Sequence, residues 1–237
     1  DKTGTLTQTK MRVEEFYCDH AVNKEPKSGP VWQEFLKAMA LSNDAHSDAA
    51  GKIVGDPTEV ALYIAAKEGG VDKKKEETAY PRIAEIPFDS KRKCMTTFHN
   101  SPAGGYISFT KGAVEILLLK SVQMLSHAGV VQIPSDEIIK VTERMASEGL
   151  RLIAVSMRKW DSLPEQITHE TTEQELTLLG FVGMRDPHRE EVPEAVRMCK
   201  EAGIVPVMIT GDHPSTARAI ARHVGILDGG ELMTGRE

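Results

Sequence analysis

The chain has 237 residues, of which 40% are hydrophobic and 27% charged, and this is sufficient for one large domain or two smaller ones. Its formal net charge of −6 argues against a nucleic-acid surface, and no apolar run approaches the roughly 20 residues that cross a bilayer. The odd number of cysteines, with no C-x-x-C spacing, favours reduced thiols in a cytosolic compartment for Cys18, Cys94 and Cys199.

The first predicted element is a loop from Asp1 to about Met11. Apolar residues at helical spacing predict a helix over 31–41, and Pro57 begins a second helix that ends at Gly69. The lysine run 73–75 predicts a solvated face. Short runs bounded by proline and glycine predict three strands, over 83–86, 95–99 and 106–111.

The second half of the chain alternates predicted helices and strands. Ser135 is a helix-capping residue type, and the helix that it begins is predicted to end at Gly149. The continuous apolar run 204–209 predicts a strand buried on both faces, with a turn at 210–212. The remaining predictions are strands over 152–157 and 176–184, and helices over 192–202 and 214–224.

This order of elements predicts the class of fold. The last third, from strand 176–184 to helix 214–224, has the alternation that is typical of a parallel, doubly wound sheet. The middle of the chain is predicted to be an α+β insertion, and the two ends are predicted to be parts of one α/β domain.

The first seven residues, Asp-Lys-Thr-Gly-Thr-Leu-Thr, carry the strongest chemical signal. A carboxylate nucleophile in phosphoryl transfer needs a nearby cation, oxygen ligands for magnesium, and a backbone that can approach the phosphate. Asp1 provides the nucleophile, Lys2 the charge, Thr3 and Thr5 the oxygens, and Gly4 the permissive backbone. The alternative interpretation of this segment is a polar turn.

This heptapeptide is identified as the phosphorylation motif of the P-type ATPases. Five further segments resemble motifs of that family and occur in the family's order: 55–59, 87–93, 111–113, 186–189 and 210–212. Segment 186–189 resembles the family's hinge motif, with His188 where many relatives have a second proline. Because proline fixes φ, histidine at this position loosens the hinge.

The resemblance implies ATP and Mg²⁺ as cofactors. It implies that Glu59 approaches the adenine, Phe88 stacks on it, and Lys111 and Arg151 orient the phosphates, while magnesium is shared by Asp1, the Thr3 carbonyl and a later loop. The implied catalytic residues are Asp1, Lys2 and Thr3. The implied ATP-binding residues are Glu59, Phe88, Lys93, Met95, Lys111, Gly112, Arg151, Arg189, Thr210, Gly211 and Asp212.

The resemblance also implies the architecture and the partners. A nucleotide-binding domain over 12–185, with a twisted, largely antiparallel sheet and flanking helices, is inserted in an incomplete haloacid-dehalogenase-like, Rossmann-like phosphorylation domain over 1–11 and 186–237. The expected partners are ATP, a cation transported through a membrane domain, and the pump's actuator and transmembrane domains. The expected location is the cytoplasmic face of a membrane. The sequences of segments 86–93 and 210–217 resemble those of type II pumps, the calcium and sodium–potassium group. Because prokaryotic calcium pumps are the most similar, the resemblance implies calcium as the transported ion, with a sodium–potassium or proton pump as the alternative.

Other interpretations remain open at this stage. Taken alone, Phe88 is more typical of a core residue and Glu59 of a charge on a helix surface. A soluble phosphatase of the haloacid-dehalogenase type needs a second acid two residues after the nucleophile, where this chain has Thr3. The chain could also act only as an ATP-binding or docking module. Because the chain supplies only part of the magnesium site, we expect the chain to bind ATP weakly and not to phosphorylate itself.

Overall fold

The computed structural model describes residues 2–8, 10–210, 214–227 and 232–233, with residues 2–3 and 214–216 described by their backbone alone. A π-helical turn, Lys2–Leu6, precedes the other elements. The strands are β1 Arg12–Cys18, β2 Ala21–Asn23, β3 His46–Ser47, β4 Ile53–Val54, β5 Arg82–Asp89, β6 Cys94–Asn100, β7 Tyr106–Gly112, β8 Ser121–Ser126, β9 Gly129–Val131, β10 Arg151–Trp160 and β11 Leu176–Arg185. The helices are α1 Pro30–Leu41, α2 Pro57–Glu68, α3 Lys73–Ala79, α4 Val114–Lys120, α5 Ser135–Ser147, α6 His169–Thr172, α7 Val192–Glu201 and α8 Pro214–His223.

A largely antiparallel sheet forms the centre of the molecule. Within the described ranges its strands follow the order β2-β1-β11-β10-β7-β6-β5, and every neighbouring pair in this order is antiparallel. Strand β8 adds to β11 in parallel and forms a hairpin with β9. The structure therefore confirms the predicted antiparallel sheet with flanking helices.

Helices cover both faces of this sheet. Phe35 of α1 belongs to an apolar cluster that includes Val155 and Val182, whereas Leu117 of α4 belongs to a second cluster that includes the neighbouring strand residues Ala154 and Phe181. Since consecutive strand residues point to opposite faces, α1 and α2 lie on one face and α4 and α5 on the other. The central strand β11 is consequently buried at every position except its last.

The beginning of the chain is hydrogen-bonded to the segment that follows β11. Thr7 pairs with His188 in an isolated antiparallel bridge. The Gln8 amide donates to the Pro187 carbonyl at 2.9 Å, and the Arg189 amide donates to the Leu6 carbonyl at 2.9 Å. A small apolar cluster beside this junction is formed by Val192, Val196 and Val224, with Leu6 and Ile226 packed against it.

One predicted strand is wrong. Residues 204–209 have no regular secondary structure, and four of their five large apolar side chains are 58–83% exposed: Ile204, Val205, Val207 and Ile209. The apolar run suits a strand buried on both faces, but such a strand needs neighbours to complete its hydrogen bonds. No strand within the described ranges pairs with this segment.

Three local predictions also need correction. The first residues form a π-helical turn where a loop was expected. Lys73 is buried rather than solvated, because its ammonium donates to the Asn43 carbonyl just after the end of α1. Ser135 begins α5, but no capping hydrogen bond from a side chain is found at this end of the helix. The sequence patterns also failed to indicate β1, whose centre contains Glu14 and Glu15.

Candidate functional site

A cavity of about 500 Å³ opens beside α2 and the adjoining ends of β5, β6 and β7. Six residues expected to bind ATP line it together: Glu59, Phe88, Met95, Lys111, Gly112 and Arg151. The other lining residues are Asp44, Gly55, Asp56, Thr58, Leu62, Glu85, Pro87 and Ile153. The volume is within the range that is typical of small-molecule sites.

An ion pair between two largely buried side chains, Lys111 and Glu59, lines the cavity. The Lys111 ammonium donates to the Glu59 carboxylate and to the Ser42 carbonyl. The second oxygen of that carboxylate accepts the Asp44 amide at 2.5 Å. Burial lowers the pKa of Lys111 below its ordinary value, although the charge and hydrogen bond of Glu59 oppose this shift. The pair is therefore held rigidly, with most of the ammonium's hydrogen-bonding capacity already used.

The start of α2 explains the position of Glu59. Asp56 caps the helix by accepting the Thr58 amide at 2.8 Å, and Pro57 occupies the first turn. Glu59 also lies in the first turn, where the helix dipole favours a negative charge. The Asn43 side-chain amide donates to the Glu59 carbonyl at 2.8 Å, which fixes α2 to the end of α1.

Phe88 projects into the cavity from a β-bulge. Strand β5 pairs with β6 at Ile86–Thr96 and again at Asp89–Cys94, so that two residues of β5, Pro87 and Phe88, lie opposite the single residue Met95. Such a bulge redirects a side chain from the regular alternation of a strand. Phe88 is 61% exposed and lines the cavity, while Met95 is buried. The exposed ring thus offers an aromatic face to a ligand.

Gly112 serves the packing of the backbone rather than making space for a ligand. A Cβ at this position would lie 2.4 Å from the Lys93 carbonyl oxygen and 2.6 Å from the Cys94 Cβ. The neighbouring Ala113 amide donates to that same carbonyl at 3.0 Å. Glycine therefore allows the end of β7, and with it Lys111, to lie against the turn that follows the Phe88 bulge.

Comparison with known proteins identifies the family. Residues 31–191, more than half of the chain, match the family model described as "P-type ATPase, cytoplasmic domain N". The chain belongs to the P-type ATPases. This P-type ATPase chain is 39% identical to calcium-transporting ATPase 1 of Bacillus cereus, 38% identical to a calcium-transporting ATPase of Bacillus subtilis, and 34% identical to the probable cation-transporting ATPase F of Mycobacterium tuberculosis.

Each of these three alignments covers the whole chain but only 27–29% of the relative. The chain therefore spans less than a third of the length of the curated relatives that it matches. Among the described residues of this P-type ATPase chain, no helix combines the length and the apolar character that crossing a membrane requires.

Sequence reasoning did not identify the charged residues at the edge of the cavity. Arg82 donates to Asp44 at 2.5 Å and also pairs with Glu85. Burial acts to raise the pKa of Asp44, but the hydrogen bond and charge of Arg82 outweigh it and the pKa falls. Asp44 and Arg82 are separated by 38 positions, so no local motif could have predicted their contact.

The remaining predicted site residues of this P-type ATPase lie outside the cavity lining or outside the described residues. Lys93 is exposed and pairs with Glu115 at 3.2 Å. Arg189 donates to the Gly4 carbonyl at 3.0 Å, and Thr210 does not line the cavity. Asp1, Gly211 and Asp212 lie outside the described residues, and the side chains of Lys2 and Thr3 are likewise outside them.

Proposed function

We propose that the cavity binds ATP, and that the chain is the nucleotide-binding part of a cation-transporting ATPase. The observation that carries this proposal is that one open cavity combines the exposed ring of Phe88, the buried Lys111–Glu59 pair and Arg151. A flat base bearing anionic phosphates needs such a set of partners: an aromatic face, polar groups for the base edge, and a separate cation.

Phe88 and Met95 are proposed to hold the base. The exposed ring can stack on adenine, and stacking of this kind contributes about 1–3 kcal/mol per base in nucleic-acid complexes. Met95, opposite the bulge, supplies a polarisable apolar surface beside it. Together they account for the apolar part of the ligand.

Glu59 is proposed to contact the edge of the base, as expected from the sequence. Lys111 is proposed to join it there rather than contact the phosphates, which modifies the expectation for Lys111. The Lys111 ammonium already donates to two oxygens. Four carboxylates line the cavity and would repel a triphosphate placed among them: Asp44, Asp56, Glu59 and Glu85. Arg151 is exposed at the first residue of β10, and we assign it to the phosphates.

Phosphoryl transfer is proposed to take place at the motif that opens the chain. The Asp1 carboxylate would accept the γ-phosphoryl group with Lys2 beside it, while the bond from the γ-phosphorus to the β–γ bridging oxygen breaks and ADP leaves. Arg189, Lys93 and the segment 210–212 would serve the phosphate end of the nucleotide. Carboxylate and carbonyl oxygens, here from Asp1 and Thr3, are the ligand types that Mg²⁺ prefers. When bound, Mg²⁺ neutralises developing charge on the transferred group.

The domain division and the transported ion are also proposals. We assign 12–185 to the nucleotide-binding domain and 1–11 with 186–237 to the phosphorylation domain, supported by the hydrogen bonds between Gln8 and Pro187 and between Arg189 and Leu6. Calcium is the proposed ion because the relatives from two Bacillus species are named calcium-transporting ATPases. Calcium-dependent phosphorylation of Asp1 in a complete pump tests this assignment, whereas dependence on sodium or protons would favour the alternative.

Titration calorimetry with ATP tests the nucleotide site. Phe88→Ala is expected to weaken binding by roughly ten-fold or more, because the stacking surface is lost. Leu119→Ala is the matched control, since Leu119 is also a large exposed apolar side chain, 85% accessible, on α4 and outside the cavity. Equal affinities of Phe88→Ala and the unaltered chain would remove the ring from the site.

A further inference from the structure

The direction of the Phe88 ring depends on the backbone that carries it. With 61% of its surface exposed, the residue gains little from packing, and the flanking β5–β6 pairs leave Pro87 and Phe88 together opposite one residue. A bulge interrupts the regular ladder at this point. Other contacts must therefore hold the peptide between Pro87 and Phe88 in place.

Arg92 makes that contact. One nitrogen of its guanidinium donates to the Pro87 carbonyl at 2.5 Å, and this carbonyl belongs to the peptide that leads directly into Phe88. Another nitrogen donates to the carboxylate of Glu173. The amides of Lys91 and Arg92 both donate to the Asp89 carboxylate at 2.9 Å, which tightens the turn that brings the guanidinium back towards the bulge.

Glu173 holds the Arg92 guanidinium on the other side from the Pro87 carbonyl. Its carboxylate is fully buried and accepts the Thr96 hydroxyl at 3.0 Å and the Cys94 thiol at 3.4 Å, with the Lys120 ammonium 3.4 Å away. Burial alone would raise the pKa of Glu173, but Arg92 and the other donors lower it, so that the carboxylate stays charged.

The Glu173 carboxylate lies on the opposite face of the sheet from the cavity. Cys94 and Thr96 alternate along β6 with Met95, which lines the cavity, so that the side chains contacting Glu173 point to the opposite face. Glu173 is not among the cavity-lining residues. Among its side-chain contacts, the one with Arg92 leads to the Phe88 bulge.

We propose that Glu173 and Arg92 are positioning residues for nucleotide binding: they hold the Phe88 bulge in the geometry that presents its ring to the base. This inference rests on the proposed ATP site. It makes the affinity for ATP dependent on a carboxylate that does not line the cavity, because a displaced ring loses its stacking contact.

Calorimetric titration of the 237-residue chain with ATP tests the proposal. Glu173→Gln and Arg92→Lys are each expected to weaken binding by about five-fold, because a lysine ammonium cannot make the two-sided contact of a guanidinium and a neutral amide holds that guanidinium less firmly. Lys120→Gln is the matched control, since Lys120 contacts Glu173 from α4 and donates to its backbone carbonyl rather than to the bulge. Its affinity is expected to stay within about two-fold of the unaltered chain.

A double-mutant cycle separates positioning from a general loss of structure. In a Phe88→Ala background, Glu173→Gln should weaken ATP binding no further, because the ring through which it acts is absent. An equal further loss in that background would overturn the proposal, as would unchanged affinity of both single variants. If Glu173→Gln does not fold, as judged by circular dichroism, Arg92→Lys carries the same cycle.

Failure of the inference is distinguishable from failure of the proposed function. If the unaltered chain binds ATP and neither Glu173→Gln nor Arg92→Lys weakens it, only the positioning role is wrong. If the unaltered chain does not bind ATP, the nucleotide site itself is wrong and the positioning role falls with it.

Discussion

Two carboxylates on opposite sides of the same sheet have similar partners and different surroundings. Glu59 accepts hydrogen bonds from Lys111 and from the Asp44 amide next to the cavity. Glu173 accepts from Arg92, Thr96 and Cys94 beneath β6. Each is thus a charge withdrawn from water and satisfied by a cation together with neutral donors, as buried charges require.

The difference lies in access. The Glu59 side chain is 14% exposed and lines the cavity, whereas the Glu173 side chain is 0% exposed. Water or a ligand can therefore replace a partner of Glu59, but no such replacement can reach Glu173. The same kind of ion pair is thus available to a ligand where its carboxylate adjoins the cavity, and is available only for stability and positioning where its carboxylate is sealed from solvent.

Removal of the Glu173 carboxylate is expected to change stability most. Glu173→Ala should lower the free energy of unfolding by about 3–5 kcal/mol, because Arg92 loses its partner and the buried Thr96 hydroxyl and Cys94 thiol lose their acceptor. Glu59→Ala should cost about half of that or less, since Lys111 lines the cavity, where water can replace the lost carboxylate, and keeps its hydrogen bond to the Ser42 carbonyl. Urea denaturation of both variants measures the difference. Equal losses would show that access to the cavity does not distinguish the two carboxylates.

The second prediction concerns the pH dependence of stability, through His99 on the same face of β6 as Met95. His99 lies two residues after Thr97 on β6 and is buried against Phe109, with ring centroids 5.6 Å apart. Burial lowers its pKa from the ordinary 6.5 to about 4. The folded state thus favours the neutral ring, so the stability that it contributes is complete above pH 6.5 and is lost as pH falls towards 4.

This loss should amount to about 3 kcal/mol over that pH range, from the size of the pKa shift. Urea unfolding at pH 7, 5.5 and 4 measures it, with His99→Asn expected to flatten the dependence. His20→Asn is the control, because His20 is exposed and has a φ of 60°, a left-handed conformation that asparagine tolerates. A slope that is the same in His99→Asn as in the unaltered chain would contradict the assignment.

The parts of the molecule that could be predicted are those with local signals. The helix at Pro57 and the strands β6 and β7 follow from local pattern, and Glu59, Phe88 and Lys111 were identified because short motifs contain them. Their ligand role remains a prediction. What the structure adds is that these three side chains line one cavity.

The unpredicted parts depend on contacts between distant positions. Arg92 and Glu173 are 81 residues apart, and neither belongs to a pattern that indicates the other. The bulge at Pro87 and Phe88 depends on the register between two strands, which residue types alone do not determine. The strand prediction for 204–209 is wrong for a related reason. The apolar pattern is typical of a strand, but no described strand pairs with this segment.

A substitution at Gly112, where the cavity meets the sheet, is expected to change stability least. Gly112→Ala places a methyl group 2.4 Å from the Lys93 carbonyl oxygen, so the turn after the bulge must move, at a cost of about 2 kcal/mol in the free energy of unfolding. Gly104→Ala is the control, because Gly104 has φ +95° and an added methyl group there would meet nothing within 4 Å, which limits its cost to about 1 kcal/mol of backbone strain.

Only Gly112→Ala should also weaken ATP binding, since the turn that it displaces follows Phe88 and adjoins the backbone beside Lys111. Calorimetric titration of both variants measures this difference. Weakened binding in both variants would contradict this expectation, because Gly104 does not line the cavity and its added methyl group meets nothing within 4 Å.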